Sequence, residues 1–316
     1  MPATIPPLPH GGSPTLLVLL GPTAVGKTAL SLALAERLGA PIVSADSRQM
    51  FRGMEIGTAA PTREELARAP HHFVGTLAPD RYYSAARYEQ DALRLLSALF
   101  RTHPVVILTG GSMLYLDAVC RGIDNIPTVD DEVRTLLRRR LEEEGLDALL
   151  AELRLLDPQY YARCDLRNTR RVVHALEVCY TGGRPYSAYC TGQPAARPWR
   201  TVKVGLQRSR DDLFARINSR AERMVAGGLI DEARRLSPYR HCNALNTVGY
   251  KEAYRYLDGE WTLREALDKI ARNTRVYAKK QMTWFRRDAD VQWLDAESAT
   301  AEDVASLLNE GLGIRN

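Results

Sequence analysis

The stretch TLLVLLGPTAVGKT, residues 15–28, decides the fold. Its first six residues form an unbroken apolar run that stops at Gly21, as in a strand buried on both faces of a parallel sheet. The next eight, Gly21-Pro22-Thr23-Ala24-Val25-Gly26-Lys27-Thr28, satisfy the spacing GxxxxGK[ST], and a helix is expected over 26–38. The glycines let the backbone curl until successive N–H groups and the helix N-terminus face an anion. Lys27 adds a point charge on the outer phosphate, and the Thr28 hydroxyl is placed to bind Mg²⁺. The ligand is a di- or triphosphate, and the loop does not say which. A purely structural Gly-rich turn is disfavoured because all four fixed positions and both flanking elements are present.

Working outward, the pattern repeats. A strand is expected at 41–44, an amphipathic helix at 84–101, and a second apolar run at 105–109 ends in Gly110-Gly111. Strands alternating with helices indicate an α/β fold with a parallel sheet. From 128 to 182 the strand signals vanish and helix-favouring composition takes over, in 130–144, 146–156 and 168–180. A loop rich in Gly, Pro and Arg (182–200) leads back to a strand at 201–206. Helices at 211–226, 229–236 and 262–287 follow, with a last edge strand at 291–294. The expected architecture is a P-loop NTPase-like parallel sheet core, 15–127 and 200–316, with a helical C-terminal part. A helical insertion domain fills 128–199, and residues 1–14 form a flexible tail.

Composition bounds the function. The 316 residues are 45% hydrophobic, enough for a sizeable core, which excludes a disordered or collagen-like chain. The 43 Lys+Arg against 38 Asp+Glu give a net charge of +5, which matters only where the basic residues cluster. Five cysteines form no CxxC pair, so neither a zinc ribbon nor a disulfide framework is readable, and a reducing, cytoplasmic compartment is expected. The tail lacks the basic start of a signal peptide, and no run of 18 apolar residues is present to span a membrane.

Asp46-Ser47-Arg48-Gln49 follows the second strand, so a carboxylate stands at the ligand edge of the sheet beside the phosphate loop. There it can orient a nucleophile and take its proton. It can equally cap a helix or hold Mg²⁺ through water. A small-molecule kinase is the default for a phosphate loop alone, but no second acidic strand end accompanies this one.

At this point the sequence resembles the tRNA dimethylallyltransferases, also called tRNA isopentenyl transferases. The matching stretches are GPTAVGKT at 21–28, SADSRQMFRGMEIGTAAPT at 44–62, YSAARYEQDA at 83–92, GGSMLYLDAV at 110–119, VGYKEA at 248–253 and RNTRVYAKKQMTWFRRD at 272–288. The resemblance implies transfer of a dimethylallyl group from dimethylallyl diphosphate to N6 of adenosine 37, beside the anticodon of tRNA. By it the loop residues Gly21 to Thr28 hold the donor's diphosphate with Mg²⁺ as cofactor on Thr28, Arg220 lies near the diphosphate, and Asp46, Lys27 and Thr28 are catalytic. Asp46, Ser47, Arg48, Gln49, Ser112, Gly249, Tyr250, Lys251, Arg275, Lys279, Lys280 and Gln281 are expected to face tRNA. The family usually has Thr where this chain has Ser112, a mild departure because the hydroxyl is kept. A cytoplasmic monomer is expected, with the anticodon stem-loop as partner.

Two basic surfaces suit that partner. From Lys269 to Arg287 there are seven Lys/Arg and no Asp or Glu. On a helix Arg272, Arg275, Lys279 and Arg286 share one face, with Leu267, Ile270, Tyr277 and Trp284 opposite. The insertion carries Arg134, Arg138, Arg139 and Arg140, then Arg167, Arg170 and Arg171, suited to clamping phosphates. By the family pattern Arg134, Arg170, Arg171 and position 174 face tRNA. His174 stands where the family commonly has Arg, and a histidine is not a permanent cation. A non-catalytic RNA-binding protein is the remaining alternative, disfavoured because Lys27, Thr28 and Asp46 are all intact.

Overall fold

The structure, a computed structural model, describes residues 13–124 and 126–310. All but the last two residues of the expected tail lie outside the described residues. Six parallel strands form one sheet in the order β3-β2-β4-β1-β5-β6. They are β1 (Thr15–Leu20), β2 (Ile42–Ser44), β3 (His71–His72), β4 (Val105–Gly110), β5 (Arg200–Gln207) and β6 (Val291–Asp295). Every residue of β1 is buried, because the strand is central and both its faces are covered. Leu17 and Leu19 pack against α1 (Lys27–Leu38), whereas Leu16, Val18 and Leu20 join the cluster containing Tyr88, Ala92 and Leu96.

After α1 come two short helices, α2 (Glu55–Thr58) and α3 (Arg63–Arg68). The helix carrying Tyr88 is α4 (Ala85–Leu99), which starts where the Ser84 hydroxyl accepts the Arg87 N–H at 3.1 Å. It is followed by α5 (Met113–Arg121). The chain divides into two compact units, one of residues up to Cys120 and from Ala196, the other Arg121–Ala195. The second unit holds α6 (Asp131–Leu156), α7 (Pro158–Arg163) and α8 (Thr169–Gly182), around a core of Leu137, Leu149, Leu153, Val172, Ala175 and Leu176. Gly145, at φ 80°, breaks α6 into two helical stretches at the position where the sequence pattern separates 130–144 from 146–156. The unit boundaries differ from 128 and 199 for a visible reason. The Ala195 N–H donates to Arg121 O, and Arg197 donates to the Ala118 and Val119 carbonyls, so the insertion closes earlier on both sides.

The chain then returns through β5 to α9 (Arg210–Ala226), α10 (Leu229–Arg235), α11 (Tyr250–Leu257) and α12 (Leu263–Phe285). After β6 it ends the described part in α13 (Ala301–Glu310). Thr262 and Glu265 form a reciprocal cap at the start of α12. A third apolar cluster, with Phe51, Met54, Leu229, Tyr250 and Ile270, joins α10, α11 and α12 to the segment after β2. The sequence reading does not include the two-residue β3 or helices α2, α3, α5, α7, α11 and α13, of which β3, α2, α3 and α7 are too short to show a hydrophobic period. No described helix is long and apolar enough to cross a membrane.

The connection from β1 leads toward β2 on one side and that from β4 toward β5 on the other. Loops that part in this way open a crevice at the carboxyl ends of the strands. Gly110 lies at its floor, where a Cβ would stand 2.2 Å from the Ala45 carbonyl oxygen. Backbone cannot retreat cheaply there. Gly110→Ala is therefore expected to destabilise the protein by about 1–3 kcal/mol, read as a lower urea midpoint with unchanged slope.

Candidate active site

The phosphate loop is wound tightly between β1 and α1. Gly26 sits at φ 119° and Ala24 at φ 66°, the second a conformation that costs a residue with a Cβ and persists only where its surroundings enforce it. Those surroundings are cations. Lys27 Nζ donates to the Gly21 and Pro22 carbonyls at 3.0 and 2.8 Å. Arg216 Nε donates to Ala24 O and Arg208 Nε to Val25 O, each at 2.9 Å. With its carbonyls so engaged, the loop presents the N–H groups of Ala24, Gly26, Lys27 and Thr28 without an acceptor among the described residues. These four residues line a cavity of about 720 Å³, together with Arg220 and Arg223. A chelating anion such as a diphosphate matches both the donors and the charge.

Arg208 and Arg216 were not among the sequence candidates. Arg208 directly follows β5, and a cation at the carboxyl end of a central strand is a signal the sequence does carry. Arg220, expected near the diphosphate, donates to the Thr23 hydroxyl at 3.1 Å and to Thr58 O at 3.2 Å. Burial lowers its pKa, while Asp46 holds it up.

Asp46 follows β2 and lines two cavities at once, the large one and a smaller one of about 340 Å³. Its Oδ1 accepts N–H bonds from Arg48 at 2.9 Å and Gln49 at 3.2 Å, and Oδ2 has no protein partner among the described residues. One oxygen of the carboxylate is thus held by backbone N–H groups and the other is left open. The smaller cavity is lined by the polar residues Ser47, Arg48, Ser112 and Lys251 and by the apolar residues Ile217, Ala221, Met224, Val248 and Ile270, among others. Ser112 Oγ accepts the Ser47 N–H at 2.8 Å and donates to Ser47 Oγ at 3.0 Å. Arg48 is anchored by the Asn243 carbonyl at 2.6 Å, and Gln49 by the Thr58 and Ala59 carbonyls.

Tyr277 lines both cavities and is 37% exposed, although the helical pattern assigns it to the packed face of α12. Burial and the Asp46 carboxylate push its phenol up to about 12, so it stays a neutral donor. Lys279 and Lys280 are exposed on α12, while Arg275 donates to Asn218 Oδ1 at 2.5 Å.

Three residues expected to face tRNA are turned inward. Tyr250 is fully buried, and its hydroxyl donates to Glu232 Oε1 at 2.6 Å. The same Glu232 carboxylate accepts the Ile56 and Gly57 N–H groups, so the tyrosine braces a turn and meets no solvent. Gly249 is buried with its N–H given to Glu252 Oε2 at 2.7 Å. Gln281 is 1% exposed and bonds the backbone of Thr23 and Gly111. A motif match cannot tell an inward from an outward side chain when neighbours in the motif point both ways.

In the unit Arg121–Ala195, Arg170 and Arg171 are exposed in the first turn of α8, which holds no acidic residue, so the helix terminus and both side chains are positive together. Arg134 pairs with Asp131 at 3.0 Å, and His174 Nδ1 lies 3.3 Å from Glu177 Oε2.

Comparison with known proteins adds the following. A family model described as IPP transferase matches residues 49–288. The chain is 58% identical over 286 residues to tRNA dimethylallyltransferase 1 of Phocaeicola vulgatus, covering 90% of this chain and 95% of the relative. Among solved structures, the full-length tRNA isopentenylpyrophosphate transferase of Bacillus halodurans matches with TM-score 0.69 and 38% identity, over 95% of this chain and 96% of that one. A eukaryotic dimethylallyltransferase described as acting on tRNA matches with TM-score 0.83 over 96% of this chain and 81% of its own, at 22% identity, a likeness of fold.

The loop makes a prediction of its own. Burial, with Arg220 adding to it and Asp46 opposing, lowers Lys27 to about 8. A bound anion favours the charged lysine, so affinity is complete below that pH and falls by up to about tenfold per unit as pH rises above it. Calorimetric titration with inorganic pyrophosphate across pH 7–10 is expected to show this decline relative to Lys27→Ala, which removes it.

Proposed function

The chain belongs to the IPP transferase family, and from that premise we propose that it transfers the dimethylallyl group of dimethylallyl diphosphate to N6 of adenosine 37 in tRNA. The observation that carries the site assignment is the meeting of two cavities at Asp46, one lined by unpaired N–H groups and cations, the other by apolar and hydrogen-bonding side chains. The diphosphate fits the first. The adenine, unstacked from the anticodon loop, fits the second.

The N6 nitrogen attacks the allylic carbon, the new C–N bond forms as the C–O bond breaks, and the diphosphate leaves with the electron pair. Asp46 Oδ2 accepts the hydrogen bond from N6 and then its proton. Lys27, Arg220 and the loop N–H groups face the charge that grows on the departing oxygen, where fixed donors act most strongly. Mg²⁺ fits the residues present. Thr28 lines the cavity, its hydroxyl has no protein partner among the described residues, and those residues hold no cluster of three metal-binding side chains, so Thr28 would hold the ion. When bound it supplies charge to stabilise the leaving group.

The exposed Lys279 and Lys280 suit phosphates of the anticodon stem-loop, as do Arg170 and Arg171 at the positive end of α8. The reading places the protein in the cytoplasm as a monomer. Family membership favours it over a small-molecule kinase.

Incubation with labelled dimethylallyl diphosphate, Mg²⁺ and unmodified tRNA, followed by nucleoside analysis, is expected to yield N6-isopentenyladenosine. ATP turnover without tRNA, and no such product, would reject the reading. Asp46→Asn keeps the acceptor for the two capping N–H groups and removes the base, so single-turnover transfer is expected to drop about 10²–10⁴-fold with donor affinity nearly unchanged. Restoration of the parental rate by Mg²⁺ alone would make Asp46 a metal-site group. Replacing Lys279 and Lys280 together with alanine is expected to weaken tRNA binding and to flatten its salt dependence by up to about 0.7–0.9 log unit per lost phosphate contact. An identical slope would show only a solvated face.

A further inference from the structure

Gln281 follows the exposed Lys279 and Lys280 directly, yet its side chain points into the protein. Its Oε1 accepts the Thr23 N–H at 2.9 Å and its Nε2 donates to the Gly111 carbonyl at 2.8 Å. One partner is a backbone donor and the other a backbone acceptor, so the orientation of the amide is settled by its neighbours. Only an amide serves both. Glutamate offers two acceptors, lysine only donors, and methionine neither. The fit is close, since a Cβ at Gly111 would lie 2.4 Å from Nε2.

The two loops so joined are those that leave β1 and β4 in opposite directions and frame the crevice. Moreover, the Thr23 N–H belongs to the same planar peptide as the Pro22 carbonyl, and that carbonyl accepts Lys27 Nζ. The peptide is held at both edges, by Gln281 on one and Lys27 on the other. Turning the N–H away from Gln281 would turn the carbonyl away from the ammonium. The ammonium's other hydrogen bond goes to the Gly21 carbonyl at 3.0 Å, so the Pro22 carbonyl sets one of the two directions that fix it.

We propose that Gln281 is a positioning residue of the donor site, fixing the Pro22–Thr23 peptide and through it the place at which the Lys27 ammonium meets the diphosphate. The inference rests on the donor reading of the loop. It gives α12 a second task, since the helix that carries the exposed lysines also sets the geometry of the phosphate loop.

The test uses Gln281→Met, which keeps the volume and removes both bonds. Affinity for inorganic pyrophosphate is expected to fall about tenfold, and the donor KM to rise by a larger factor than kcat falls. Affinity for tRNA and its salt slope stay at the parental values. Gly111→Ala, which displaces the amide from the other side, is expected to give the same pattern and serves if the methionine variant does not fold. Parental pyrophosphate affinity and donor KM in a folded variant would overturn the proposal. So would a weakened, less salt-dependent tRNA binding with the donor side intact, which would make Gln281 an RNA contact. Equal losses on the donor and tRNA sides would reduce it to a structural residue. Pyrophosphate binding is independent of transfer, so a parent that binds pyrophosphate yet modifies no tRNA defeats the donor reading and leaves the positioning role to be judged on binding alone.

Discussion

An anion site made of peptide N–H groups must keep those groups from the acceptors that lie nearest in the chain, its own carbonyls. Backbone groups in a tight turn ordinarily satisfy each other. Here Lys27, Arg208 and Arg216 draw the carbonyls of Gly21, Pro22, Ala24 and Val25 to themselves, and the N–H groups of Ala24, Gly26, Lys27 and Thr28 are left open. The cations therefore act twice. They contribute positive potential to the cavity, and they prevent the loop from collapsing onto its own dipoles. Much of the remaining architecture follows from this need: β5 ends beside Arg208, α9 carries Arg216 and Arg220 across the mouth, and α12 reaches in with Gln281.

The carboxylate at the end of β2 shows how a short strand can supply a working side chain. Asp46 would swing freely on a loop, but two N–H bonds to Oδ1 hold it. The following residues are held as well, Arg48 by carbonyls near Asn243 and Gln49 by those of Thr58 and Ala59. Such second contacts confine a group to the geometry that its chemistry needs. Glu232 performs the same service one layer out, gathering the Ile56 and Gly57 N–H groups and the Tyr250 hydroxyl on one buried carboxylate.

The sequence makes the sheet core legible because β1 and β4 are apolar runs of useful length, β5 alternates apolar and polar residues, and the glycine spacing fixes one loop. It singles out Asp46 because a carboxylate follows a strand end beside the phosphate loop, but that position leaves capping, metal binding and acid–base work equally open, and only the family resemblance selects among them. It does not reveal direction. Tyr277 has the period of a packed residue and opens onto both cavities, while Gln281 stands among lysines and is buried. In each case a long-range partner, absent from the local pattern, decides the outcome. The same holds for α11, whose eight residues owe their place to Glu232 and the apolar cluster around Tyr250. By contrast the break at Gly145 was visible, because a glycine between two helix-favouring stretches is a local signal.

The segment Arg121–Ala195 begins and ends at one spot, with the Ala195 N–H 2.6 Å from Arg121 O. It also has a core of its own. A segment whose ends are already joined demands of its host no more than a gap one hydrogen bond wide. Its length can then change without disturbing β4 and β5, which keep their register on either side of β1. Two parts of one gene thereby answer to different selective pressures.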